Sequence, residues 1–174
     1  MKNPIAENAI KLYILFIISA FVGWLYEIVT VCILYDRYID RGILHLPLCP
    51  IYGVGMLLLY IFLHKQKNVF AIFGISAAIT TSIELIASYA IEYFFHYYLW
   101  TYEGWPLSFQ NRISLISSII FGLMAVLVFK AVVPAVNKIY SDNRIAVNIT
   151  VCAITVFMIF AQVAGMNADT EWII

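Results

Sequence analysis

Apolar residues in this chain come in long blocks, with neither the three-to-four-residue stripe of a surface helix nor the alternation of a half-buried strand. The blocks run from Leu12 to Tyr35, Ile51 to Leu63, Val69 to Tyr98, Ile113 to Val133 and Ile145 to Gly165. A helix needs about 20 apolar residues, at about 1.5 Å each, to cross a hydrocarbon core of about 30 Å. Four blocks are long enough and the second is short. The pattern predicts an all-α polytopic membrane helix bundle, a single domain over 1–174 with about five spans (12–35, 46–63, 69–98, 113–133 and 145–165). The first block is too long for the apolar core of a cleavable signal and lacks a small-residue cleavage site, so it is expected to stay as an anchor.

The second block is preceded by "RGILHLPLCPIYGVG", residues 41–55. Its two prolines lack an N–H and disfavour helix before them. The missing length of this span can come from 41–50 dipping into the protein as irregular backbone, which is tolerated at membrane depth only where protein or water satisfies its polar groups. The alternative is a surface loop followed by a short tilted helix.

Composition sharpens the class. Of 174 residues, 64% are hydrophobic and 11% charged, with a mean hydropathy of +0.93. Soluble domains carry roughly 45–50% apolar and about 25% charged residues. The formal net charge is zero, so no basic field draws nucleic acid. Cys32, Cys49 and Cys152 form no C-x-x-C or zinc-spaced cluster and read as small buried hydrophobes, although a Cys32–Cys49 disulfide is open. Neither a metal nor a cofactor is expected.

Lysine and arginine set the orientation. With five spans, Lys2, Lys11, Lys65, Lys67, Lys130, Lys138 and Arg144 share one side, and Arg37, Arg41 and Arg112 the other. The N-terminus is therefore expected in the cytoplasm and the C-terminus outside a cell membrane, with short cytoplasmic loops near 64–68 and 134–144. The outer loops then collect Arg41, His45, Pro47, Pro50, Trp100, Tyr102, Trp105, Pro106 and Arg112.

Three carboxylates interrupt the blocks. Glu27 lies about 12 Å from the outer end of the first span, Glu84 near the middle of the third, and Glu92 nearer its outer end. A charged side chain at the bilayer centre costs about 2.5–3.5 kcal/mol on insertion scales, so such groups face the bundle interior and find a partner or a proton. Thr81, Glu84, Ser88 and Glu92 are spaced by three, four and four and share one helix face, as do Gly23, Trp24 and Glu27. If the faces meet, Glu27 and Glu84 look into one pocket, with Arg41 and Arg112 as candidate cations. Such pairs would serve a pocket for solute, proton or lipid, simply pin the outer loops to the helices, or lie at a subunit interface. The aromatics at 97–105 read as an interfacial belt. There is no phosphate-binding G-x-x-x-x-G-K-[ST], no H-E-x-x-H and no G-x-S-x-G.

The motifs "GWLYE" at 23–27, "RGILHLPLCPIYGVG" at 41–55, "ELIASYAIEYFFHYYLWTY" at 84–102 and "WPLSFQNR" at 105–112 resemble the type IV ABC-transporter family of the CmpB kind. Order and spacing agree over about residues 20–125. The resemblance falls on Gly23, Trp24, Glu27, Arg41, Gly42, Pro47, Pro50, Ile51, Tyr52, Gly53, Gly55, Glu84, Ser88, Glu92, Trp100, Tyr102, Pro106 and Arg112. Leu46 stands where the family pattern has glycine, Thr101 where it has aspartate, and Ser108 and Asn111 where it has asparagine and glycine. The resemblance implies a permease-like component in the lipid bilayer, working with a separate ATPase subunit or as a homo-oligomer. Together with the carboxylates it yields one reading: a small polar or charged solute in an outward-facing pocket. Glu27, Glu84, Glu92, Arg41 and Arg112 would bind the solute or a proton, and Trp24, Pro47, Pro50, Tyr52, Ser88, Trp100 and Tyr102 would line the walls. The alternatives are an intramembrane enzyme acting on lipid or an envelope precursor, and a structural or sensory subunit.

Overall fold

The computed structural model describes residues 4–36, 46–98 and 100–166. Its elements are α1 (Pro4–Tyr35), α2 (Pro50–Leu63), α3 (Val69–Phe95), a two-residue pair β1 (Ser108–Phe109) and β2 (Ile113–Ser114), α4 (Leu115–Leu127), a π-helical turn (Val128–Val132), α5 (Val133–Asp142) and α6 (Arg144–Met166). Among the described residues four helical stretches are long and apolar enough to cross a membrane: Ile5–Ile33, Val69–Phe95, Leu115–Asp142 and Arg144–Ala161. With the shorter apolar α2, they make the chain an all-α membrane protein. It divides into two compact units, residues 1–57 with 133–174, and residues 58–132.

In the first unit, the segment before α2 is irregular backbone held against a helix. The Cys49 N–H donates to the carbonyl of Ala20 at 2.9 Å, and Leu48 N–H to Leu46 O at 2.7 Å. Ala20 is fully buried and Leu48 nearly so. Ala20 lies close to the middle of α1, about 22 Å along the axis from its end at Tyr35. From there α2 runs back along α1: Gly53 sits against the Phe16 ring, where an added Cβ would come within 2.6 Å. The second block is short because α2 starts level with the middle of α1, where residues 46–49 are irregular backbone. Pro50 opens that helix, where its missing N–H has no helical partner to lose. Arg41 and His45 lie outside the described residues.

Elsewhere in this unit Lys11 bonds Glu7 at 2.8 Å, Arg144 approaches Glu7 at 3.9 Å, and Tyr13 and Thr155 share a hydroxyl–hydroxyl bond at 2.8 Å. The 134–144 stretch, expected as a loop, is helical up to Asp142, with Asn143 separating α5 from α6. In α5, Val136 and Tyr140 are buried four residues apart, while Asn137, Lys138 and Ser141 face outward. That one-turn spacing is an amphipathic helix too short to show as an apolar block. Pro134 has no N–H and its ring crowds the carbonyl four residues back. The π-turn at Val128–Val132, just before it, includes the carbonyl that this ring would crowd and widens the helix there.

In the second unit α3 packs on α4. Gly122 permits the approach: a Cβ there would stand 2.7 Å from the Phe73 ring and 3.1 Å from the Phe73 carbonyl. Asn68 caps α3 by accepting from the N–H groups of Phe70 and Ala71, and Ser114 caps α4 by accepting from Ile116. Between them β1 and β2 pair Ser108 with Ser114 and Phe109 with Ile113. The turn joining them places Gln110 and Asn111 at φ of 51° and 58° and closes with Arg112 N–H to Phe109 O at 3.0 Å. Positive φ at both central residues is the signature of a tight hairpin turn that matches strand twist.

Candidate functional site

The polar stripe of α3 is met, residue by residue, by the 98–118 segment. Thr81 shares a hydroxyl bond with Ser118 at 2.6 Å. Glu84 accepts the phenol proton of Tyr102. Ser88 accepts from Arg112 Nη1 at 3.0 Å. Glu92 accepts from Arg112 Nη2 through one oxygen and from the Tyr98 hydroxyl, at 2.7 Å, through the other. One helix face of period 3.6 therefore holds a whole loop.

Arg112 is the centre of this arrangement and is 7% exposed. Its guanidinium lies 4.1 Å from the Tyr89 ring centroid and 5.0 Å from that of Tyr98. A delocalised planar cation tolerates such aromatic walls, and its fork reaches a carboxylate and a hydroxyl together. Burial is the largest single influence on Arg112 and opposes its charge, but bonding and attraction to Glu92 together outweigh it and hold its pKa above the usual guanidinium value. The hydrogen bond to Glu92 likewise holds the Tyr98 phenol above its ordinary pKa. The hairpin turn aims Arg112 at α3, and Tyr89 donates to Gln110 of that turn. Trp100 Nε1 donates to the Arg112 carbonyl at 3.1 Å, and Tyr102 N–H to Asn111 O at 2.8 Å. Beside this cluster, Tyr89, Glu92, Tyr93, Phe94 and His96 border an open groove of about 730 Å³.

In the first unit Glu27 accepts the Tyr52 hydroxyl at 2.7 Å. Gly23 makes room: a Cβ there would lie 2.1 Å from Tyr52 Cγ. Trp24 stacks on Phe21, with centroids 5.8 Å apart. Pro47 is exposed, and Pro50 is half-buried at the start of α2. Cys32, Cys49 and Cys152 are free thiols.

The sequence reading put Arg112 and Arg41 opposite Glu27 and Glu84. Arg112 goes instead to Glu92 and Ser88, because the hairpin delivers it one to two helical turns beyond Glu84. Tyr102 and Tyr52, expected only as pocket walls, are the described donors to Glu84 and Glu27. Tyr89, Tyr98 and Gln110 were missed, since tyrosines at a span end look like an interfacial belt. The one signal was spacing, with Tyr89 and Glu92 three apart on one face.

Long apolar helices carrying hydrogen-bonded carboxylates define a multi-pass membrane protein. The chain belongs to the family described as "Putative ABC-transporter type IV", whose model matches residues 14–165. No curated protein matches the chain, and no solved structure does.

Proposed function

We propose that this chain is the membrane component of a transporter and binds a small polar or charged solute at its intramembrane carboxylates. One observation carries the reading: Glu27 and Glu84, both inside apolar helices, each accept a hydrogen bond from a tyrosine hydroxyl, that of Tyr52 and of Tyr102. A phenol is a neutral donor, so this bond can be exchanged without separating opposite charges. The acid keeps the option of taking a proton or of trading its tyrosine for a ligand donor. Arg112, by contrast, is engaged by Glu92 and Ser88, and its part is to hold the loop that presents Tyr102. The N-terminus faces the cytoplasm and the sites open outward, as the lysine and arginine distribution supports. Energy would come from a separate ATPase subunit, in keeping with the family.

Flux of candidate solutes and of protons into vesicles reconstituted with the whole protein and its partner tests this. Glu84→Gln keeps the shape of the side chain and removes the charge, and is expected to lower flux at least tenfold. Unchanged flux for every solute in both Glu84→Gln and Glu27→Gln would reject the assignment. The Arg112 cluster favours a second reading, a structural subunit in which polar contacts only fasten loops. On that reading both glutamine variants fold and no flux depends on the chain.

A further inference from the structure

We propose that the end of the second unit where α2 passes into α3 is a docking site for the headgroup of an acidic phospholipid. The proposal stands apart from whatever solute the protein carries. Lys65 and Lys67 lie in the exposed turn between the helices, and the Lys130 ammonium reaches this turn to donate to the Lys67 carbonyl. Three lysines thus share this helix end, with the Lys130 ammonium bonded to the backbone of the turn that carries the other two. The sequence has no aspartate or glutamate in 58–83 or in 115–132, so within this unit nothing along these helices neutralises them. The nearest carboxylate on α3, Glu84, is about 24 Å along the axis from the Asn68 cap. The N-terminus of α3, a 27-residue helix, adds its positive end to the same place.

The turn is built rather than loose. His64 Nδ1 donates to the Tyr60 carbonyl at 2.9 Å, and its ring stacks on Tyr60 with centroids 5.3 Å apart. Tyr60 stacks in turn on Phe129 at 6.3 Å. Phe129 precedes Lys130 inside the π-turn and is buried, so the residue next to Lys130 is anchored.

The rim decides the partner. Phe62 is 66% exposed and Phe70 86% exposed, immediately beside the lysines and at the start of a membrane-crossing helix. An acidic protein segment would need a polar rim. Exposed phenylalanines next to these lysines suit the boundary where acyl chains meet anionic headgroups.

The test uses the full chain in nanodiscs of phosphatidylcholine, with trace spin-labelled phosphatidylglycerol or phosphatidylcholine reporting the lipid held at the protein surface. The protein is expected to prefer the anionic label about fivefold at low salt, falling as salt screens the lysines. The variant with Lys65, Lys67 and Lys130 all changed to Gln is expected to lose most of this preference. The triple Lys→Arg variant keeps it, which separates charge from folding, and Lys138→Gln also keeps it. Equal preference in the wild type and the glutamine variant, or no preference in the wild type, would overturn the proposal. Loss in the arginine variant as well would also overturn it, since charge would then not be the determinant.

Discussion

Tyr102 donates its hydroxyl proton to Glu84, so an aromatic side chain from the 98–112 segment ends on a carboxylate at the middle of α3. The bond spans 18 residues of sequence and fixes how deep the segment sits. Tyr102→Phe removes the donor and keeps the ring against Trp105, which it meets edge-on at 5.2 Å. Loss of a part-buried hydrogen bond to an acid is expected to cost about 1–3 kcal/mol. Thermal unfolding in detergent should show a midpoint lower by about 2–4 °C for each kcal/mol lost. A midpoint equal to the wild type would mean that the bond contributes nothing.

Arg112→Lys is expected to behave as a disruptive change. A lysine ammonium is a compact, strongly hydrated charge that cannot reach Glu92 and Ser88 together while lying flat between the Tyr89 and Tyr98 rings. Both Arg112→Lys and Arg112→Gln should lower the thermal midpoint and expose the 98–112 segment to protease. Ser88→Ala, which removes one acceptor and leaves the ion pair, should be milder. Protease resistance equal to the wild type in Arg112→Gln would show that the loop is held by other contacts.

The Tyr98 phenol titrates above the ordinary value near 10 because its proton is shared with Glu92 and would otherwise leave a second negative charge beside it. A folded-state pKa above the unfolded one means that the folded protein holds this proton more tightly. The associated stability is complete below about pH 10 and is lost as pH rises through the folded value. Ultraviolet titration of the wild type minus Tyr98→Phe isolates this group. Glu92→Gln should bring its midpoint back toward 10, and an unmoved midpoint would show that the carboxylate is not the cause.

Much of the architecture was open to reading because crossing a membrane leaves a coarse mark: block length. α1, α3, α4 and α6 each follow an apolar block closely. The π-turn and α5 left no such mark, since a helix with only Val136 and Tyr140 buried looks like a polar loop when apolar length is the measure. The α3 stripe was also readable, because Thr81, Glu84, Ser88 and Glu92 keep helical spacing whatever they touch. Their partners were not. Which arginine or tyrosine reaches which carboxylate is decided by a hairpin whose positive-φ residues, Gln110 and Asn111, include a glutamine that gives little turn signal. Charge complementarity suggested Arg112 for Glu84, but the hairpin takes Arg112 to Glu92 and Ser88, and Tyr102 meets Glu84.

Two glycines of the first unit separate contact from propensity. A Cβ on Gly23 would stand 2.1 Å from Tyr52 Cγ, whereas nothing lies within 4 Å of one on Gly55. Both residues are helical, so alanine gains up to about 1 kcal/mol of helix propensity at either position. At Gly55 that gain is unopposed, and Gly55→Ala should leave the midpoint unchanged or raise it slightly. At Gly23 the methyl drives the Tyr52 ring away from α1. Overpacking of this kind costs typically 1–3 kcal/mol, and the displaced ring carries its hydroxyl off Glu27. Gly23→Ala should therefore lower the midpoint by about 2 °C or more. It should also reduce any flux that depends on Glu27, while the Gly55→Ala protein transports normally. Equal behaviour of the two variants would mean that Tyr52 is not seated on Gly23, and the geometry offered for the Glu27 site would fall with it.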